Sequence, residues 1–424
     1  MSHFGVLSHN GTGHLNPLMA LSGQLLARGH RVTFFQKPEL ESRVRQQGLE
    51  FHPLSNLESS SRENERKNVS ANSQTTITEL RQNIGRIVGE VKKSLREMPA
   101  ALRQSGVDVL IVDEIVLAGP TLAQMLAIPY FIISTSVPLN FGWSVSNRSS
   151  RYKPRLSPLS RLQNAFLHVS VLRLHGPVRW RLDDCRREIG LGPIRRVHEE
   201  YPALAHITQL PECLDFPRAA LAPTFHYTGP FVDSAMRADV QFPWDMLDGR
   251  PLVYASLGTA RALQSGIFRL VAQACDELNL QLVITLGGRS NPDSLADLPG
   301  RPVVVGDAPQ LELLRGAEIV ITHGGLNTVL ETLREGKPIL AIPIAYDQPA
   351  VADRLAWLGV AEVVPAKGVT SARILSSLQK LLANGSYRSA ALILQDRIRN
   401  DNGLLRAADL IEAALPRRIS LSGS

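Results

Sequence analysis

Residues able to bind a charged ligand are concentrated in one stretch, 321–349, with the sequence ITHGGLNTVLETLREGKPILAIPIAYDQP. The apolar run before His323 predicts a buried strand, and the residues after Gly325 predict a helix that continues to about Glu335. The free amides and the dipole at the start of such a helix favour an anion, and paired glycines let a phosphate approach the backbone. This junction is therefore a predicted phosphate site.

The polar residues that follow are ordered as a nucleotide sugar would require. Asn327 and Thr328 add donors in the first helical turn, and Glu331 lies one turn deeper, where its carboxylate suits ribose hydroxyls. After the next predicted strand, Asp347 and Gln348 offer an acceptor and an amide to the hydroxyls of a sugar. A glycine-rich turn with a buried histidine is the structural alternative, and the ordered set favours the nucleotide sugar.

A second group able to do chemistry is His14, in the loop SHNGTGHLNP at residues 8–17. An imidazole can take a proton from a hydroxyl near neutral pH, and an orienting carboxylate makes it a better base. Asp113, next to Glu114, ends a predicted strand on the sheet edge that carries this loop. His9 and Glu114 remain competing candidates, and helix capping by His14 and Asp113 is the structural alternative.

The elements that must position these groups alternate between apolar runs and amphipathic stretches. Predicted strands in the first half lie at 4–8, 30–35, 107–116 and 128–135, and the pattern begins again at 251. Strand–helix repetition of this kind predicts parallel sheets with helical crossovers. We therefore predict an α/β fold of two facing, doubly wound Rossmann-like domains, with the ligand cleft between them at the carboxyl ends of the strands.

The 424 residues suggest two domains of roughly 200 residues. We predict an acceptor-binding domain at 1–233, a linker at 234–249 and a nucleotide-sugar-binding domain at 250–403. The remaining segment, 404–424, is expected to contain a helix that packs back on the first domain. Pro17 is expected in the first turn of the first helix, where proline is tolerated.

Composition narrows the class of protein. With 44% hydrophobic and 20% charged residues the chain is typical of globular proteins. No run approaches the roughly 18 apolar residues of a membrane helix, and no secretory signal is visible, so we expect a cytoplasmic protein. Cys185, Cys213 and Cys275 are too dispersed to predict a disulfide framework or a zinc site.

Positive charge is concentrated in residues 148–196, which hold twelve basic and three acidic residues within a chain of net charge +7. Such a block suits an anionic membrane surface, and a solvated helical face is an equally weighted alternative. Nucleic-acid binding is not expected, because few aromatic residues are interleaved with the charges. Residues 60–95 and 135–215 are expected to line the acceptor pocket.

The 306–348 region resembles the donor-binding signature of the family 1 glycosyltransferases, the UDP-dependent enzymes of the GT-B fold. It combines GDAPQLELL at 306–314 with the spacing His-x-Gly-x-Asn-Thr, then Glu, then Asp-Gln. The resemblance extends to SLGT at 256–259 and GHLNP at 13–17, and within the family it is to bacterial members of the zeaxanthin glucosyltransferase type.

The resemblance implies a role for each matching residue. His14 would be the catalytic base and Asp113 its partner. Ala308 would meet the uracil, Gln310 and Glu331 the ribose, and Asp347 and Gln348 the sugar. The residues implied for the diphosphate and its glycine-rich turn are Gly258, Thr259, His323, Gly325, Asn327 and Thr328.

The implied reaction is inverting transfer of glucose from UDP-glucose to a hydroxyl of a lipophilic small molecule, giving a β-glucoside without metal or cofactor. Glucose is implied because Gln, rather than His, stands at position 348. One departure is Asp307, which replaces the aromatic residue that stacks on the base in relatives, so weaker stacking is expected.

Two other functions remain as alternatives. An NAD(P)-dependent oxidoreductase could use GTGHLN at 11–16, although this loop is one glycine short of the dinucleotide fingerprint. A non-catalytic nucleotide-sugar-binding protein would leave the pairing of His14 with Asp113 without a purpose.

Overall fold

The computed structural model describes residues 1–54, 77–138, 178–193, 203–217, 221–233, 237, 240–258, 261–288, 291–295 and 297–415. Thr259, most of the basic block and parts of the predicted linker and acceptor-pocket segments lie outside these ranges.

The first domain is built on a seven-stranded parallel sheet with the order β3-β2-β1-β4-β5-β6-β7. Its strands are β1 (His3–Leu7), β2 (Arg31–Gln36), β3 (Glu50–Pro53), β4 (Val109–Asp113), β5 (Tyr130–Ser134), β6 (His206–Thr208) and β7 (Phe225–Tyr227). Its central strands β1 and β4 are buried over their whole length, as expected for a sheet covered on both faces.

The second domain repeats this arrangement with six parallel strands in the order β10-β9-β8-β11-β12-β13. These are β8 (Leu252–Ser256), β9 (Gln281–Thr285), β10 (Val303–Val305), β11 (Ala317–Thr322), β12 (Ile339–Ala341) and β13 (Ala361–Val363). The two parallel sheets confirm the predicted doubly wound α/β architecture.

Helices connect the strands of both sheets. Those of the first half are α1 (Thr12–Ala27), α2 (Glu41–Arg45), α3 (Ile77–Gln104) and α4 (Gly119–Leu126), and residues 178–188 are also helical. Those of the second half are α5 (Arg261–Glu277), α6 (Gln310–Gly316), α7 (Leu326–Arg334), α8 (Gln348–Trp357), α9 (Ser371–Ala383), α10 (Gly385–Asn400) and α11 (Gly403–Ala414).

Helix α1 begins earlier than the sequence suggested. Its first residue is Thr12, so Pro17 lies inside the helix rather than in its first turn. Proline has no amide hydrogen, and the carbonyl of Gly13, four residues earlier, therefore receives no regular helical hydrogen bond from it. The expectation for Pro17 was wrong by one helical turn, and the freed carbonyl becomes important at the cleft.

The two domains are held together by an apolar cluster and an ion pair as well as by the connecting chain. The cluster packs Val137, Leu210 and Leu214 against α7, α8 and neighbouring elements of the second domain. The pair joins Arg354 Nη2 of α8 to Asp215 Oδ1 at 2.8 Å, with both side chains no more than 2% exposed. Because a buried charge needs its partner, this contact fixes α8 against the first domain.

The C-terminal helix α11 packs on the first domain. Leu404, Ala407, Ala408 and Ile411 join the apolar cluster formed by α1 and the first sheet. Glu412 accepts hydrogen bonds from Arg28 Nη1 at 2.6 Å and contacts His30 Nε2 at 3.0 Å. The chain therefore returns to the domain in which it began.

Candidate active site

Each sheet reverses its strand order once, and the predicted site residues follow the strands on either side of these reversals. In the first sheet, β1 is followed by the loop of His14, and β4 ends at Asp113. In the second, β8 is followed by Gly258 and β11 by His323. Ligands of open parallel sheets bind outside the carboxyl ends of strands at such reversals, so both sites lie where a cleft ligand would.

In the first domain, His14 is held by two oxygen atoms. Its Nδ1 lies 2.9 Å from Asp113 Oδ2 and 2.7 Å from Thr135 Oγ1. An ionised carboxylate only accepts hydrogen bonds, so Nδ1 carries the hydrogen and Nε2 keeps the lone pair that a general base uses. The imidazole is 19% exposed, whereas Asp113 is 1% exposed.

The carboxylate of Asp113 is oriented by the backbone around it. Oδ2 also accepts a hydrogen bond from the His9 amide at 3.3 Å, and Oδ1 accepts one from the Ile115 amide at 3.4 Å. A buried carboxylate is costly unless such donors and a partner compensate it. Asp113 is therefore built to hold His14 rather than to meet solvent.

The alternatives for this pair are resolved by their contacts. His14 lies within the first turn of α1, whose N-cap is Gly11 and has no side-chain cap, so His14 does not cap the helix. Glu114 instead accepts a hydrogen bond from Ser134 Oγ at 2.8 Å and lies 3.5 Å from His206 Nε2. The structure thus places Asp113, and not Glu114, beside His14.

His9, the competing histidine, stacks edge-on against His14 at a centroid separation of 5.2 Å. Its Nδ1 accepts a hydrogen bond from the Gly11 amide at 3.0 Å. Loss of surrounding water in the cleft, followed by repulsion from His14, lowers the pKa of His9 to about 4. His9 is therefore uncharged near neutral pH, and of these two rings it is His14 that is paired with a carboxylate.

In the second domain, glycines make room for the ring of His323. A Cβ at Gly325 would lie 2.8 Å from its Cε1 and Nε2, and one at Gly258 would lie 2.9 Å from Nε2. Gly258 also has a φ of +76°, which side chains rarely adopt. Burial lowers the pKa of His323, so a neutral imidazole packs between the two glycines at the start of α7.

Glu331 lies at the inner end of this site and is 2% exposed. It accepts a hydrogen bond from Gln310 Nε2 at 2.6 Å, and Gln310 Oε1 in turn accepts one from Tyr254 at 2.9 Å. Arg237 also contacts the carboxylate of Glu331. The structure therefore joins two residues predicted to contact ribose, Gln310 and Glu331, and adds an arginine that the sequence did not indicate.

The predicted sugar-binding residues begin α8. Asp347 is its N-cap and Gln348 its first residue. Gln348 Oε1 accepts hydrogen bonds from the amides of Ile344 at 2.9 Å and Ala345 at 2.8 Å, which fixes the side chain against its own loop. The amide nitrogen of Gln348 is therefore the end available to a ligand.

The other residues predicted to bind the donor lie beside these groups. Ala308 is partly buried against the apolar cluster beneath β8 and β10, and Thr328 is half-buried in the first turn of α7. Asp307 is exposed, and its Oδ2 would lie 2.7 Å from a Cβ at Gly288. Thr259 lies outside the described residues.

Asn327 links the two halves of the cleft. Its Nδ2 donates to the carbonyl of Gly13 at 2.9 Å, and its Oδ1 accepts from Gln209 Nε2 at 2.7 Å. Sequence reasoning missed Thr135 and Gln209, because only the assembled sheet reveals that they follow β5 and β6 at the same edge. The contact brings the start of α7 next to the residue that precedes His14.

Two facing Rossmann-like domains with a candidate site at each strand-order reversal form the GT-B fold. A solved structure described as the glycotransferase of kitacinnamycin matches this fold with a TM-score of 0.75 and 24% identity. The match covers 98% of this chain and 99% of the other chain. A family model described as UDP-glucoronosyl and UDP-glucosyl transferase matches residues 14–404, and the chain belongs to that family. The prediction of family and enzyme class is confirmed, and the oxidoreductase alternative is excluded.

Curated relatives match over the full length. The chain is 30% identical to a zeaxanthin glucosyltransferase of Pseudescherichia vulneris, with all of both chains covered. It is 29% identical to a zeaxanthin glucosyltransferase of Pantoea ananas, covering 98% of this chain and 96% of the relative. Within the described ranges, no helix has the length and apolar character needed to cross a bilayer.

Proposed function

We propose that this enzyme transfers glucose from UDP-glucose to a hydroxyl of a lipophilic small molecule, with inversion at the anomeric carbon. The observation that carries the proposal is the pairing of His14 Nδ1 with Asp113 Oδ2 at 2.9 Å, in the turn of α1 that touches α7 through Gly13. A base so placed takes the acceptor proton as the new glycosidic bond forms.

The transfer would proceed by direct displacement. The acceptor oxygen attacks the anomeric carbon, the bond to UDP breaks, and the acceptor proton passes to Nε2 of His14. Asp113 stabilises the resulting imidazolium, as the acid of a hydrolase triad does. The amides at the start of α7 and the side chains of Asn327 and Thr328 would offset the negative charge of the departing diphosphate.

The family resemblance and the fixed side chain of Gln348 support glucose as the sugar. Because its Oε1 is bonded to the loop amides, Gln348 would present its N–H groups to sugar oxygens, while Asp347 would accept from sugar hydroxyls. The lipophilic acceptor is supported by the two curated relatives, whose names state that they act on zeaxanthin.

The test is a panel of hydroxylated lipophilic acceptors incubated with UDP-glucose, UDP-galactose and dTDP-glucose in direct competition. Mass spectrometry should show hexose addition, and proton NMR of the anomeric centre should show a β-linkage from UDP-glucose. His14→Ala should lose the product, whereas His226→Ala, a partly buried histidine on the distant edge strand β7, should keep it. An α-linked product, or preference for a rival donor, would contradict the proposal.

We also propose that the basic block delivers the acceptor from an anionic membrane surface. The net positive charge of residues 148–196 supports this, and most of these residues lie outside the described ranges. Liposome co-sedimentation should show salt-sensitive binding to anionic vesicles and none to neutral ones. Equal pelleting with both lipids, or pelleting with neither, would count against it.

A further inference from the structure

A closed set of hydrogen bonds and contacts joins His14 in the first domain to the start of α7 in the second domain. His14 Nδ1 contacts Thr135 Oγ1 at 2.7 Å, and the Thr135 carbonyl accepts from Gln209 Nε2 at 2.5 Å. Gln209 also donates to Asn327 Oδ1, and Asn327 donates to the Gly13 carbonyl, one residue before His14. These contacts run from the base, across the cleft, and back to it.

The orientations of both amides in this set are fixed by chemistry. The carbonyls of Gly13 and Thr135 can only accept, so Asn327 must turn its nitrogen to Gly13, and Gln209 must turn its nitrogen to Thr135. Asn327 then faces Gln209 with its oxygen, which matches the donation observed there at 2.7 Å. Reversing either amide would place two acceptors, or two donors, against each other.

Pro17 supplies the acceptor that closes the set. An ordinary residue at position 17 would donate its amide to the Gly13 carbonyl within α1, whereas proline leaves this oxygen free. Asn327 Nδ2 donates a hydrogen bond to this oxygen at 2.9 Å. Because an asparagine amide has two hydrogens, Asn327 retains one for a diphosphate oxygen while it holds Gly13.

We propose that Gln209 and Pro17 are positioning residues for glycosyl transfer. They act through Asn327 and Thr135, and they set the distance between the general base and the leaving diphosphate. Gln209 is 1% exposed, and in this proposal it acts without touching the reacting atoms. This inference rests on the proposed function, since it concerns the geometry of that reaction.

The first test is Gln209→Leu, which keeps the approximate size of the side chain and removes its donors. Turnover should fall about tenfold and the Kd for UDP should rise, because Asn327 is no longer oriented. The control is Gln281→Leu, another buried glutamine, which bonds to the Met246 carbonyl at 2.9 Å and the Asp248 amide at 3.0 Å, away from the cleft. It should lower the melting temperature and leave turnover of the folded protein unchanged.

Two further variants separate positioning from loss of fold. Pro17→Ala restores a donor to the Gly13 carbonyl, so the melting temperature should hold or rise while turnover falls several-fold. Gln209→Glu turns a carboxylate toward two acceptors. Its turnover relative to wild type should rise as the pH falls, because a protonated acid can donate again.

The outcomes separate this inference from the proposed function. If wild-type protein forms no glycoside with any donor, the proposed function fails. If wild type is active but Gln209→Leu turns over as fast as Gln281→Leu, the positioning role is wrong. The same holds if Pro17→Ala retains full turnover, or if the Gln209→Leu effect is undiminished in an Asn327→Ala background.

Discussion

The two strand-order reversals of this enzyme carry different kinds of site. At the first, His14 in α1, Asp113 at the end of β4 and Thr135 just after β5 come from three separate parts of the chain and are joined by side-chain contacts. At the second, one continuous segment brings His323 and the start of α7 together, and its shape depends on glycines. Under the proposed function, the first region would transfer a proton and the second would hold the diphosphate.

The largest expected effect comes from removing His14 or the charge of Asp113 in the first region. Loss of a positioned base should lower turnover by about 10²–10⁴, so His14→Ala should fall in this range. Asp113→Asn should also slow turnover strongly, because the imidazolium loses its stabilising charge. The double variant should be little slower than the worse single one, since the pair acts as a unit.

Steady-state rates at saturating donor for the three variants measure this. The matched control is His9→Ala, which removes the neighbouring ring without removing the carboxylate contact. If the two single effects multiply in the double variant, or if His9→Ala is the slower histidine variant, the assignment of the base is wrong.

The second prediction concerns the glycine-rich start of α7 in the other region. Gly325→Ala introduces a Cβ that would lie 2.8 Å from the His323 ring, so the start of α7 must shift. We expect the KM for the nucleotide sugar to rise at least about tenfold. Gly266→Ala is the control within the same domain, because nothing lies within 4 Å of its Cβ. Donor titrations of both variants would contradict us if they gave equal KM values.

A smaller effect concerns how the base of the nucleotide is held. Asp307→Tyr should tighten UDP binding by about 1 kcal/mol, roughly fivefold in Kd, because a ring can stack where a carboxylate cannot. Asp307→Asn removes the charge without adding a ring and should change binding less. Calorimetry that found no gain for tyrosine would show that the base is held elsewhere.

The smallest effect concerns stability in acid. The pKa of His9 lies near 4 in the folded protein, below its usual 6.5, so the unfolded chain binds more protons between these values. The free energy of unfolding should therefore fall slightly as the pH falls through this window, and the exposure of His9 to solvent keeps this change small. His9→Gln should show a shallower fall in urea unfolding at about pH 7 and about pH 5. Parallel pH dependences of the two proteins would refute this.

The sequence predicted the second region more completely than the first. Residues 321–349 lie close together along the chain, so their strand, turn and helix could be placed by spacing alone. His14 and Asp113 are 99 positions apart. Their pairing could be inferred only by assuming that the strands preceding them end at the same edge of one parallel sheet. The choice between Asp113 and Glu114 required the structure, since the two are adjacent in the sequence and only their contacts distinguish them.

Other features could not be predicted because they depend on the two domains together. Gln209 carries no motif, and its donation to Asn327 arises from the docking of the domains. Pro17 was visible, but its effect depends on where α1 begins, and helix boundaries are poorly defined by sequence. The apolar cluster that joins the domains likewise needs the folded chain.

The most direct test of the division between the two regions measures one variant from each region in the same two assays. UDP binding by calorimetry and turnover at saturating donor would be measured for His14→Ala and Gly325→Ala. We predict that His14→Ala loses most turnover and binds UDP like wild type, whereas Gly325→Ala binds UDP at least about tenfold more weakly. Weak UDP binding by His14→Ala, or normal UDP binding by Gly325→Ala, would contradict the account.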